Sequence, residues 1–364
     1  MSAAYGQQRT WTDRAGKTFN AELLAADGLR ATLLVEGRGK VAVPIASLSK
    51  EDATFVRDSR LENLRMPIVD PEAMAAWPAE AVAESFEVQL VPSDATPRWD
   101  SAHFSITSDV KLPTGVVRDL AAVLEATRAA VIAAPIGLHG GVEIGKYPVR
   151  LFGGVPQYTE AGGPQASGGF FVRPAMLILL PNIGILPTTN GLSAQHHRHL
   201  FVLKHEVTHQ LMTPWSGRLP MWLNEGLAET FAAAPYTRGR YTFQNLDSAL
   251  RDYVLKWRAT RDTRSIRLIA PQQLMSLTSD EWNQQVSAQN AYDLYNSTAL
   301  LTHFFLRHDG RGDSAGIAGF LAALRTRMPE EEAEKRYLLR GRTRDQITTE
   351  VKAMARKMAI EIRD

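Results

Sequence analysis

Two histidines four residues apart, with a glutamate directly after the first, stand in the run Lys204-His205-Glu206-Val207-Thr208-His209. On an α-helix each residue turns by about 100° and rises by about 1.5 Å, so His205 and His209 stack one turn apart on one face with Glu206 beside them. Imidazoles paired in this way can grip one divalent ion. Zn2+ suits the pattern best, with Glu206 next to a metal-activated water as general base and then general acid.

The flanking residues supply the elements that such a site needs. Leu200, Val202, Leu203, Val207, Leu211 and Met212 make an apolar side for a helix of about four turns and leave the histidines on another side. Pro214, Ser216, Gly217 and Pro220 break that helix, and Met221-Trp222-Leu223-Asn224-Glu225-Gly226-Leu227-Ala228-Glu229 begins a second. Glu225 follows His209 after 15 intervening residues. So short a connection lets the second helix pack back on the first and bring the Glu225 carboxylate to the ion as a third ligand. The fourth position is left to water, as in catalytic zinc. Structural zinc takes four side chains, mostly cysteine, and this chain has no cysteine.

These residues resemble the gluzincin metallopeptidases, in which H-E-x-x-H is followed on a second helix by a liganding glutamate. Trp222-Leu223-Asn224-Glu225-Gly226-Leu227-Ala228 is similar to the W-L-N-E-G-F-A segment of zinc aminopeptidases, although those place about three more residues before the glutamate. The shorter gap looks more like that of the bacterial peptidase MA-like members. The resemblance implies a thermolysin-like domain that hydrolyses peptide bonds in a peptide or protein substrate. It implies that Glu229, four residues after Glu225, takes the place where thermolysin-like enzymes carry an aspartate hydrogen-bonded to a zinc-bound histidine. In related gluzincins a tyrosine opening a later helix donates to the oxyanion of the tetrahedral intermediate. Tyr295, before Asn296-Ser297-Thr298-Ala299-Leu300-Leu301, fits that pattern best, with Tyr292 one turn away. A packed tyrosine with a satisfied hydroxyl is the competing reading. The G-x-M-E-N motif that reads a free amino terminus is absent, so endopeptidase action is favoured.

The other histidines carry less chemistry. His196, His197 and His199 are close neighbours that point in different directions, and His103, His139, His303 and His308 are isolated in the sequence. All are expected to be surface or satisfied core side chains. Lysine and arginine number 41 against 39 aspartates and glutamates, a net charge of +2 that gives no reason to expect nucleic acid. The locally basic stretch from Arg238 to Arg267 reads as a solvated face, with one side of a substrate cleft as the alternative. The longest apolar stretch, Ala175 to Leu186, is interrupted by Pro181 and Asn182 and falls short of the ~20 residues of a membrane span.

Met1 to Gln8 has neither the basic start nor the apolar core of a signal peptide. Peptidases of this resemblance are commonly exported, so a periplasmic or extracellular location after removal of a leader is the expectation, with a cytoplasmic one as the alternative. The absence of cysteine fits both. No pattern in the chain signals an oligomeric state.

Residues 1–62 read as a separate unit. Gln8 to Thr12, Thr18 to Ala25, Leu29 to Glu36 and Lys40 to Pro44 are short strands with close turns, which imply a small antiparallel barrel, and Ser49 with Asp52 marks a helix start. Arg9 to Lys17 and Val41 to Asp52 resemble the Sla-homology domain, an SH3-like barrel whose eukaryotic members bind short peptides. The resemblance implies a peptide or protein ligand for this unit, with a plain structural appendage as the alternative.

Residues 63–100 are proline-marked and contain one strand, Phe86 to Val91, and residues 101–364 form the zinc-bearing domain. There Ala102 to Ser108, Tyr147 to Phe152, Gly169 to Val172 and Met176 to Leu180 read as strands, and Gly115 to Ala134 reads as a helix. Strands first and helices afterwards indicate α+β, with a mixed sheet beside the metal helix and a mainly helical carboxy-terminal half. Gly168 to Leu180 is the expected cleft-lining strand region, and Gly153 to Gly169 reads as a loop, either a cover or a flexible connection. Ala299 to Arg307, Ala315 to Arg327 and Thr348 to Ile362 carry helical spacing. The rival to a peptidase is a non-catalytic zinc-containing binding protein whose barrel recruits a partner. A zinc hydrolase of non-peptide amides or esters is a further alternative.

Overall fold

Four strands, β1 (Gln8–Thr12), β2 (Thr18–Ala26), β3 (Arg30–Val35) and β4 (Gly39–Pro44), form an antiparallel sheet in sequence order. Trp11, Ala21, Leu23, Ala31 and Leu33 alternate onto one buried side, where Ile45, Leu48, Ala53 and Val56 complete the core. A 3-10 turn at Ile45–Ser47 leads to Leu48, which bridges back to Asp13 just past β1. Helix α1 (50–56) follows, with the Ser49 hydroxyl accepting from Asp52 N at 3.1 Å. Asp52 is buried and tied to Arg9 at 2.6 Å, and the Arg9 guanidinium lies 3.9 Å from the Phe55 ring centroid.

The computed structural model describes residues 8–26, 30–56, 69, 76–91, 96–139, 145–165, 167–172, 175–188, 191–194, 200–215, 217–257, 265–286 and 291–363. They divide into two compact units, the described residues up to 56 and those from 69 onward. His196, His197 and His199 lie outside the described residues.

The second unit is mixed α+β. Its strands are β5 (Glu80–Val82), β6 (Gln89–Val91), β7 (Arg98–Asp100), β8 (Phe104–Ser108), β9 (Tyr147–Phe152), β10 (Gly169–Val172) and β11 (Ala175–Leu179). Six of these make one sheet in the order β10-β11-β9-β8-β7-β6. β9 runs parallel to both β8 and β11, whereas β10 pairs antiparallel with β11 and forms an edge. Helix α2 (Thr114–Ala133) supplies the crossover between β8 and β9 and buries Val117, Leu120, Leu124 and Val131. Between β9 and β10, in the segment expected to be loop, Val155–Glu160 forms the short helix α3, with proline in its first turn. β12 (Ile185–Thr188) and β13 (Gly191–Ala194) pair antiparallel.

From there the chain is mainly helical. Helix α4 (Leu200–Leu211) packs against β10, β11 and α2, and α5 (Met221–Ala233) packs back on α4. β14 (Tyr236–Thr237) and β15 (Arg240–Thr242) join β5 in a three-stranded sheet. α6 (Leu246–Asp252), β16 (Ser265–Arg267), α7 (Pro271–Leu274) and α8 (Ser279–Gln285) lead to α9 (Ala291–His303), which packs along α5. α10 (Ala315–Arg325), α11 (Glu330–Ala333), α12 (Arg344–Lys357) and β17 (Glu361–Arg363) close the unit. Among the described residues no helix is long and apolar enough to cross a membrane.

Within the basic stretch, Arg240 pairs with Glu80 at 2.7 Å and Arg251 with Asp252 at 3.0 Å. Residues 258–264 of the stretch lie outside the described residues.

Candidate metal centre

α4 buries Leu203, Val207 and Leu211 and turns His205 and His209 toward α5, as the helical period requires. Their Nε2 atoms are 3.0 Å apart, and Glu225 Oε2 on α5 lies 3.4 Å from each. A tetrahedral ion with bonds of about 2.0–2.1 Å separates its ligand atoms by about 3.3–3.4 Å. The three donors therefore fit zinc in type and spacing. All three side chains keep only a slight exposure, 12%, 13% and 10%, so the meeting point is secluded but reachable.

The electrostatics agree. Burial opposes charge on His205, but the carboxylates of Glu225 and Glu229 outweigh it and raise its pKa to about 10. Burial likewise opposes charge on Glu225, and the His209 and His205 imidazoles outweigh it and hold that carboxyl well below its ordinary range. The field thus favours a cation where the three ligand atoms meet.

Glu229, fully buried one turn after Glu225, sets its Oε1 3.1 Å from His205 Nδ1. Its Oε2 accepts from the Tyr253 hydroxyl at 2.7 Å. Nδ1 is thereby engaged, which leaves Nε2 as the nitrogen facing the ion position. Tyr253 was not visible as a site residue in the sequence, because it arrives from beyond the end of α6 with no motif of its own.

Glu206, on α4, is half-buried and packs against Gly169 at the start of β10. A Cβ on Gly169 would lie 2.6 Å from Glu206 Cγ, 3.0 Å from Ile178 Cδ1 and 3.1 Å from Val202 Cγ1, so any larger residue there displaces the Glu206 side chain. A glycine within a strand often marks such a close approach, and that signal was present at Gly169. Burial pushes the Glu206 carboxyl up, with His205 and His209 opposing and Glu225 adding to the rise. The Tyr295 ring lies 6.1 Å from the His205 ring, centroid to centroid, and 5.5 Å from that of Trp282. The Tyr292 hydroxyl instead donates to the Val254 carbonyl at 2.8 Å, which commits it elsewhere. Gly226 lets α9 come this close: a Cβ there would lie 2.8 Å from the Thr298 carbonyl oxygen and would collide with the Thr302 hydroxyl.

Of the histidines set aside in the sequence, His103 is held by Glu125 at 2.7 Å, and His139 Nε2 lies 3.0 Å from the Tyr147 hydroxyl. Isolation in sequence does not hold for His303 and His308, which converge on Asp247.

The coarse class is now defined: a mixed α+β chain with an amino-terminal antiparallel sheet, a helical carboxy-terminal half and a two-histidine, one-glutamate cluster in the second unit. Residues 2–64 match the family model of SLA1 homology domain 1, SHD1, so the first unit carries an SHD1 domain. A search of curated proteins gave no match to this chain.

Proposed function

We propose that the second unit is a gluzincin-type zinc peptidase with a thermolysin-like arrangement, acting as an endopeptidase on peptide or protein substrates. The observation that carries this reading is the triangle of His205 Nε2, His209 Nε2 and Glu225 Oε2, with sides of 3.0, 3.4 and 3.4 Å and Glu206 adjoining it in sequence. Bound there, zinc would supply a water acidified toward neutral pH and polarisation of the scissile carbonyl. Glu206 takes the proton released as water adds to the carbonyl and returns it to the leaving amine. Burial raises its pKa, the direction that favours taking up a proton. Glu229 and Tyr253 orient His205, and Tyr295 is assigned to the oxyanion. The exposed Phe170 and Val172 on the edge strand β10 support pairing with an extended substrate by main-chain hydrogen bonds.

The SHD1 domain favours a second reading, a zinc-containing binding protein in which that domain recruits a partner and the metal only stabilises the fold. Casein digestion by the zinc-loaded chain, with Glu206→Gln as control, separates the two. The peptidase reading expects a loss of about 100- to 10,000-fold in the variant at unchanged zinc content. Equal inertness of both proteins would favour the binding protein.

A further inference from the structure

A second group of metal-competent side chains lies at the far end of α9. His303 closes that helix, and His308 closes the π-helical turn Phe304–His308 that follows. On an ordinary α-helix, residues five apart point about 140° away from each other. Here the turn is closed by i→i+5 bonds, including Asp309 N to Phe304 O at 2.9 Å, and the wider turn returns both imidazoles to one side. Their rings are 5.4 Å apart, centroid to centroid.

Asp247, in the first turn of α6, completes the group. Its Oδ1 lies 2.8 Å from His303 Nε2 and 3.1 Å from His308 Nε2. The three ligand atoms all fall within 4.8 Å of one another. The side chains grade from 3% exposed at His303, through 26% at His308, to 50% at Asp247. One ligand is therefore anchored in the core while the other two open to solvent, which gives an ion a route in and room for water. Arg307, between the histidines in sequence, carries its guanidinium over the Trp77 ring at 5.6 Å.

We infer that Asp247, His303 and His308 form a second divalent transition-ion site, separate from the His205 centre. Two imidazole nitrogens and one carboxylate oxygen suit Zn2+, Cu2+, Co2+ or Ni2+ rather than Mg2+ or Ca2+, which prefer oxygen-only shells. An ion held there would clip the start of α6 to the end of α9. α6 runs directly into Tyr253, the residue that donates to Glu229, so occupancy would also steady the support of the first centre. Without an ion the same atoms satisfy each other only as a hydrogen-bonded cluster, both rings donating from Nε2 to one oxygen. The inference does not rest on the peptidase reading.

The test uses the full chain in four forms, wild type, H205Q/E225Q, the two pairs combined, and D247N/H308N, each stripped with a chelator and dialysed against Zn2+. The D247N change keeps an acceptor oxygen and position 308 is partly exposed, so the last form is chosen to fold; melting without metal checks it. Two zinc ions per wild-type chain and one in each double variant support the site. In H205Q/E225Q, added Zn2+ raises the melting temperature and added Cu2+ gives an electron paramagnetic resonance spectrum with two-nitrogen coupling; both responses disappear when D247N/H308N is combined with it. Uptake by D247N/H308N equal to that of wild type, or no uptake by H205Q/E225Q, overturns the inference. Failure of the first centre alone would appear differently, as one ion in wild type and one in H205Q/E225Q.

Discussion

His205 Nδ1 lies 3.1 Å from Glu229 Oε1, within a carboxylate that has no solvent exposure. The opposite nitrogen of the same ring is 3.0 Å from His209 Nε2, so one imidazole links the buried carboxylate to the ligand triangle. Glu229→Gln is expected to weaken zinc binding by about 10- to 100-fold through loss of that orienting charge. Tyr253→Phe, which removes only the outer donor, is expected to have a smaller effect in the same direction. Competition with a chromogenic chelator measures both, and unchanged affinity in Glu229→Gln would sink the orienting role.

Gly169→Ala should act on Glu206 while leaving the ligands alone. The added methyl group would sit 2.6 Å from Glu206 Cγ, so the carboxylate must move. A displacement of about 1 Å at a reacting group costs on the order of 100-fold in rate. The expected result is zinc content like that of wild type with hydrolysis reduced by about that factor. Full activity would show that Glu206 needs no such placement.

Gly226→Ala should destabilise the fold, by about 1–3 kcal/mol, because the new methyl group collides with Thr302 and the Thr298 carbonyl on α9. Thr302→Ala in the same chain should recover part of the loss, since it removes one of the two obstacles. Urea unfolding of the four combinations gives the coupling between the positions. Strict additivity would contradict the contact.

Lys204 is buried, donates to the Ala234 carbonyl at 2.7 Å and lies 5.3 Å from the Tyr241 ring centroid. Burial lowers its pKa to about 7, below the ordinary lysine value of 10.5. Below pH 7 it is charged in both folded and unfolded chains, and the buried charge weighs on the fold. Between pH 7 and 10.5 the unfolded chain binds the extra proton, so stability should climb with pH across that window. Relative to Lys204→Met, wild type should gain on the order of 4 kcal/mol between these limits. A flat difference in unfolding free energy from pH 7 to 10 would argue against the shift.

The meeting of His205, His209 and Glu225 was legible because its pattern is local. His205 and His209 share a face on any α-helix, and the short break before Glu225 lets the next helix return onto the first. The first strands were legible for a similar reason: β1 spans Gln8–Thr12 as the alternation predicts, and glycines in the left-handed region at positions 16, 37 and 39 turn the chain. What was missed comes from elsewhere in the chain or from a changed period. Tyr253 reaches the site from an element with no sequence link to it, and Gly169 lies in the stretch expected to line the cleft without its approach to Glu206 being readable there. His303 and His308 read as isolated, whereas the π-helical turn Phe304–His308 brings both rings to Asp247 from a distant element. α12 begins at Arg344, earlier than Thr348, because Thr343 and Gln346 form a capping box. It ends at Lys357, short of Ile362, because Ala359 turns left-handed and Glu361–Arg363 pairs with β16.

The most direct test is an anomalous-scattering map from crystals of the chain grown with zinc, recorded on both sides of the zinc absorption edge. A peak bonded to His205 Nε2, His209 Nε2 and a Glu225 carboxylate oxygen is the predicted result. Zinc present in the crystal but no peak among those three atoms would contradict the metal centre and every role assigned around it.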